Sequence, residues 1–267
     1  METKAKVKYL GDQLDESGTI KATIEDRKAK AFGIVADITA ITDSIPLGAW
    51  RIQAALLLRQ AMLVNGTLFN SECWQGKNSS KLISDLSKPD QLLFRSIVDG
   101  HSKVPIEFMH LEMGTVPFQF IHKGRRANFL QYILKKHSDE LIKKVYTAQK
   151  VDSMPGDFCN LVMDDLRDLN IHMEEKQIAL MNTERFKKLI KSKVKEASFK
   201  YLTDLQQTHS KIKNIKYDDL TIQPYLSSSL FSKSEVSTLF RLRSRTIPGI
   251  KNDFRQLYNN DLPCSTH

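Results

Sequence analysis

With 267 residues, 41% of them hydrophobic and 27% charged, the chain can bury a core as one large domain or two small ones, and this balance is not that of a disordered chain. Three cysteines (Cys73, Cys159, Cys264) exclude a disulfide framework, and no apolar run reaches the roughly 18–20 residues of a membrane span. The 40 Lys+Arg against 31 Asp+Glu give a net charge of +9, which favours a polyanion as partner, nucleic acid before an acidic membrane face.

The opening METKAKVKYLGD carries no apolar leader, so an intracellular chain is expected, nuclear or cytoplasmic and not secreted. Val7, Tyr9 and Leu10 suit a short strand, and Asp15-Glu16-Ser17-Gly18 a tight turn before Thr19 and Ile20. With 11 glycines and 8 prolines, the remainder reads as helix. Ile20, Ile24, Ala31, Ile34, Val35, Ile38 and Ile41 form a helical stripe that ends near Pro46. Residues 47–68 are apolar on most of their circumference, as in the central helix of a bundle. Arg51 and Arg59, the only charges there, are expected to snorkel outward or to meet a carboxylate such as Glu72, or a phosphate.

Ser79 and Ser80 suit a helix cap, Pro89 the start of the next helix, and Pro105 a short helix closed by Gly114. Pro117 opens a longer helix with Phe118, Ile121, Phe129, Tyr132 and Ile133 on an apolar side and Lys123, Arg125 and Arg126 on a basic one. The turn Met154-Pro155-Gly156-Asp157 is the best break, so a boundary is placed between 153 and 154. Beyond it lie the helix from Phe158, in which Asp164, Asp165 and Asp168 form a wet acidic face, and a long helix from a capped start at Asn182 to about Gln207. From Arg185 to Lys216 ten Lys/Arg face two acids, with Lys187, Lys188 and Lys191 near the start. After a polar link at 225–236, Arg241, Arg243 and Arg245 cluster. On a continuing helix Arg241 and Arg245 would share a face suited to phosphates.

Several stretches carry a family likeness. V-K-Y-L-G-D-Q-L at 7–14 resembles the primer grip of reverse transcriptases. Residues 55–74, 105–126, 184–191 and 239–245 resemble, in order, the thumb and following region of non-LTR retrotransposon polyproteins. The resemblance implies a mainly α chain. A short N-terminal β-hairpin and thumb-like helical bundle would occupy 1–153, and a second basic helical region 154–267. It further implies RNA and DNA as partners, with Tyr9, Leu10 and Gly11 at the primer end. Arg125, Arg126, Lys187, Lys188, Lys191, Arg241, Arg243 and Arg245 would contact phosphates.

In that family the metal-binding carboxylates precede the grip, so the palm, its divalent cations and the activity would lie outside this chain. Asp164-Asp165 follows Tyr9-Leu10-Gly11 and does not qualify as that acidic pair. Cys264 and His267 have C-x-x-H spacing but only half of a zinc ligand set, so no cofactor is expected. Cys73, beside Trp74, is expected to be buried, and the scattered histidines to be surface or core residues. The alternative is a helical protein-interaction module, including a domesticated element remnant without catalytic activity.

Overall fold

The computed structural model describes residues 6–9, 12–15, 20–46, 48–76 and 83–246. It is mainly helical. Strand β1 (Lys6–Tyr9) pairs antiparallel with β2 (Asp12–Asp15), setting Lys6 opposite Asp15. Asp12 reaches Arg27 at 3.2 Å. The turn expected at 15–18 falls largely outside the described residues, as do Leu10, Gly11, Ser79, Ser80, Cys264 and His267.

Helix α1 (Lys21–Asp43) buries Ile24, Ala31, Val35 and Ile38, the expected stripe, and packs against α4 (Ser87–Val98). Ile41 departs from that stripe and faces outward. Next comes α2 (Gly48–Leu58), which continues through a π-helical turn at Arg59–Val64 into α3 (Asn65–Thr67). Instead of being covered all round, α2 leaves Trp50 61% and Leu57 72% exposed. Both buried arginines are paired. Arg51 meets Asp43 and donates to Ser96 O at 3.2 Å, while Arg59 meets Asp90 and not Glu72.

Arg59 sends Nε and Nη2 to the two oxygens of Asp90, each at 2.6 Å, and Nη2 also donates to Val116 O at 3.0 Å. Its guanidinium lies over the rings of Phe94 and Phe118, 5.4 and 5.5 Å from their centroids. Two buried ions in such bidentate geometry compensate each other, and the aromatic faces add a cation–π contribution.

Pro105 stands at the N-cap of α5 (Ile106–Met113), and Gly114 ends it in the left-handed region at φ 61°. A Cβ at Gly114 would stand 2.3 Å from Ile222 N, so glycine is what lets residues 221–223 pass. There Met113 bridges Ile222, and Gln223 N donates to Glu112 O at 2.9 Å.

Pro117 starts α6 (Phe118–Leu134), which packs on the 3₁₀ turn Ser71–Cys73 and on α8 (Phe158–Asp168). Helix α7 (Leu141–Val151) precedes α8, and α9 (Glu175–Leu180) precedes α10 (Thr183–Gln207). The last elements are α11 (Pro224–Ser227) and α12 (Lys233–Arg243). Helix α12 begins earlier than the polar link suggested, because Ser232 and Glu235 form a capping box.

Two large apolar clusters result. The first joins Ile24–Phe118 residues to Ile212, Leu226, Val236 and Phe240. The second runs from Phe120 to Val194 and draws on both sides of the 153/154 break. Burying side chains such as Phe94, Phe108, Phe186 and Phe240 contributes roughly 1.5–3 kcal/mol each. Among the described residues no helix is long and apolar enough to cross a membrane.

Candidate nucleic-acid interface

The basic helix α10 is positioned by its own sequence. The Asn182 side chain accepts from the backbone amides of Glu184 and Arg185 at 2.9 and 3.2 Å, fixing the start where the cap was expected. Phe186, Ile190, Val194, Ser198, Leu202 and Gln206 recur every four residues and are buried. They face α5 and α6. Gly124 permits this approach, since a Cβ there would stand 2.9 Å from Val194 Cγ2.

The rest of α10 is wet and basic. Arg185, Lys188, Lys191 and Lys200 are exposed and hold no ion pair among the described residues. Lys187 is paired with Glu184 at 3.0 Å, Lys193 with Glu196 at 2.9 Å and Lys195 with Asp219 at 2.6 Å. Exposed Lys211, Lys213 and Lys216 extend the positive surface past the helix.

The other expected contacts are engaged internally. Arg125 is half-buried, donating to Leu68 O and, at 2.8 Å, to Asn65 Oδ1, which ties α6 to the end of α3. Arg126 is buried and not on a basic surface. Its Nη1 stands 3.1 Å from Asp165 Oδ2, and its Nη2 is 3.4 Å from Trp74 O. Burial lowers its pKa, against the pull of Asp165.

Asp165 correspondingly leaves the acidic face expected for it, while Asp164 pairs with Arg167 and Asp168 with Lys123. His122 beside them is buried, its ring Nε2 stands 2.8 Å from Ser71 O, and the ring stacks on Trp74. Burial and then Arg126 lower its pKa to about 3, so it is neutral. Its contact with the Ser71 carbonyl therefore runs from an Nε2–H donor.

The arginine cluster of α12 also turns inward. Arg241 Nε and Nη2 donate to Asp99 O at 3.0 and 2.9 Å. Arg243 Nε contacts both oxygens of Glu112 at 3.0 Å and its Nη2 one of them at 2.8 Å. Glu112 is wholly buried and accepts two further bonds, from Tyr225 Oη at 2.6 Å and from Tyr217 Oη. Burial first, and the Glu112 charge second, push both phenols well above their usual range. Arg245 lies beyond the helix at φ 51°, so the shared face expected for Arg241 and Arg245 is not formed.

Tyr9 belongs to β1. Cys73 is exposed, contrary to expectation, and Cys159 is buried with its thiol toward Gln149 O. His110 and His122 are core residues, His101 and His137 surface ones. Among the described residues no group of three or more His, Cys, Asp or Glu could hold a metal ion. No family model, curated protein or solved structure matches the chain.

The Arg126–Asp165 pair carries a pH signature. Burial raises the Asp165 carboxyl to about 6 from an ordinary 3.8, with Arg126 opposing. The folded state thus holds this proton more tightly than the unfolded chain. The contribution is full below about pH 3.8 and is lost as pH rises to about 6. The stability advantage of wild type over Asp165→Asn should fall across that window, by at most about 1.4 kcal/mol per pH unit. Urea unfolding at a series of pH values reads it, and a difference that stays flat or grows would refute the assignment.

Proposed function

We propose that this chain is a nucleic-acid-binding helical unit without catalytic carboxylates, of the kind that follows the palm in a retrotransposon reverse transcriptase. The observation that carries the reading is the exposed side of α10, where Arg185, Lys188, Lys191 and Lys200 hold no ion pair among the described residues while lysines around them do. Unpaired cations on a rigid helix suit sugar–phosphate contacts that position a strand without reading its sequence. In this reading Tyr9, Leu10 and Gly11 sit at the grip on a primer end. The palm and its divalent cations come from outside the chain.

The test is binding of the purified chain to a labelled RNA–DNA hybrid across a salt series. Lys188→Ala with Lys191→Ala should weaken binding on all sequences and reduce the log–log salt slope by about 2. Arg241→Ala should leave the slope alone, because Asp99 O already holds that side chain. A folded chain that fails to bind at low salt overturns the reading.

One observation favours a second reading, a protein-interaction module. Trp50 and Leu57 lie seven residues apart on one side of α2, both largely exposed. In that reading the chain self-associates in sedimentation, serine at both positions abolishes this while leaving hybrid binding intact, and a wild-type chain that sediments as a monomer counts against it.

A further inference from the structure

Between α5, the start of α6 and the C-terminal half of α10 lies a cavity of about 130 Å³. Its apolar walls include Ile83, Ile106 and Phe118, and its polar lining includes Ser87, Glu107, His110 and Gln119. Tyr201, 40% exposed, stands in the lining with its ring 5.3 Å from that of Phe120. This volume is well below the roughly 300–1,000 Å³ of sites that engulf a drug-sized ligand.

Among the residues lining the cavity, His110 is the buried polar side chain. His110 is 2% exposed, and its Nδ1 is satisfied by Thr115 Oγ1 at 2.8 Å. Its Nε2 has Asp90 Oδ2 as a neighbour only at 3.8 Å, beyond hydrogen-bond reach, while Asp90 is itself occupied by Arg59. The residue nonetheless lines the cavity. Burial lowers its pKa to about 4, so a neutral imidazole is presented.

A cavity with apolar walls, an aromatic ring at its side and a few neutral or acidic polar atoms matches the chemistry that holds a splayed base. Such a base stacks on an aromatic side chain and is hydrogen-bonded along its edge. The location agrees. Tyr201 follows exposed Lys200 and lies on the same helix as Lys191, about 15 Å along the axis at 1.5 Å per residue. That distance spans a few nucleotides of a strand held by the basic side.

We infer that this cavity receives one unpaired nucleobase of a single strand whose phosphates run along α10, with Tyr201 stacking on the base and His110 and Gln119 bonding its edge. The inference rests on the nucleic-acid reading above and adds a base contact to it.

The test compares the full chain's affinity for a single-stranded RNA oligomer and for an abasic oligomer of equal length. The base-bearing strand should bind about 10-fold tighter, as one stacked base implies. Tyr201→Ala should remove that ratio and leave abasic binding unchanged, and Tyr201→Phe should retain it. Gln119→Ala should reduce it in part. Lys188→Ala with Lys191→Ala should weaken both strands equally. Equal affinity for the two oligomers, or a ratio that survives Tyr201→Ala, overturns the pocket while leaving phosphate binding standing. Binding of neither oligomer overturns both.

Discussion

Asp90→Ala should destabilise the fold by about 3–5 kcal/mol, because it leaves the Arg59 guanidinium charged and buried without its partner. For a chain of this size that corresponds to a fall in Tm of roughly 10 °C. Arg59→Met should cost a similar amount by leaving the Asp90 carboxylate alone. The pair Arg59→Met with Asp90→Leu should recover most of the loss, since apolar groups of similar volume commonly replace a buried ion pair without penalty. Chemical denaturation of all three variants measures the coupling. Additive losses would mean that the two side chains do not compensate each other.

Glu112→Ala should be the next most damaging substitution, at about 3 kcal/mol. The carboxylate is wholly buried and binds Arg243, Tyr217 and Tyr225 together. Its cost stays below that of Asp90 because the Arg243 side chain is 34% exposed and can turn to water. The damage should also be local. Hydrogen exchange should accelerate first in residues 217–243, the segment these side chains hold against α5, and loss of protection spread evenly over all helices would contradict this account.

These two sites mark the limit of what was legible in the sequence. Helix α10 could be read to its ends, because Asn182 caps it and the apolar side Phe186, Leu189, Ile190, Val194, Phe199 and Leu202 runs along it, four of these six being buried. The short helix between Pro105 and Gly114 was equally clear from its boundary residues. The charged core was not. A sequence pattern assigns an arginine to the surface unless a partner is visible nearby, and Arg126 finds Asp165, Arg59 finds Asp90 and Arg243 finds Glu112 far along the chain.

A usable signal did exist at Glu112. It stands between Leu111 and Met113, on a different side of the helix from the other acid, Glu107, so a buried partner was to be sought. Likewise Ser232-x-x-Glu235 announces the start of α12 inside what reads as a linker. For the candidate interface, the sequence located the lysines of α10 but could not say which were free. That depends on acids such as Asp219, which the fold returns to Lys195. The cavity beside Tyr201 left no trace at all, since α5, α6 and α10 each supply part of its wall.

The distribution of the two apolar clusters sets an order of events during synthesis. All of the second cluster lies within residues 120–194, so it can close while the ribosome is still adding the remainder. The first cluster includes Ile212, Leu226, Val236 and Phe240, and stays unfinished until those residues have emerged. The earlier-made part of the molecule is therefore the later to mature, and a released chain truncated near residue 207 would display its unfilled first core to chaperones while carrying every buried residue of the second one.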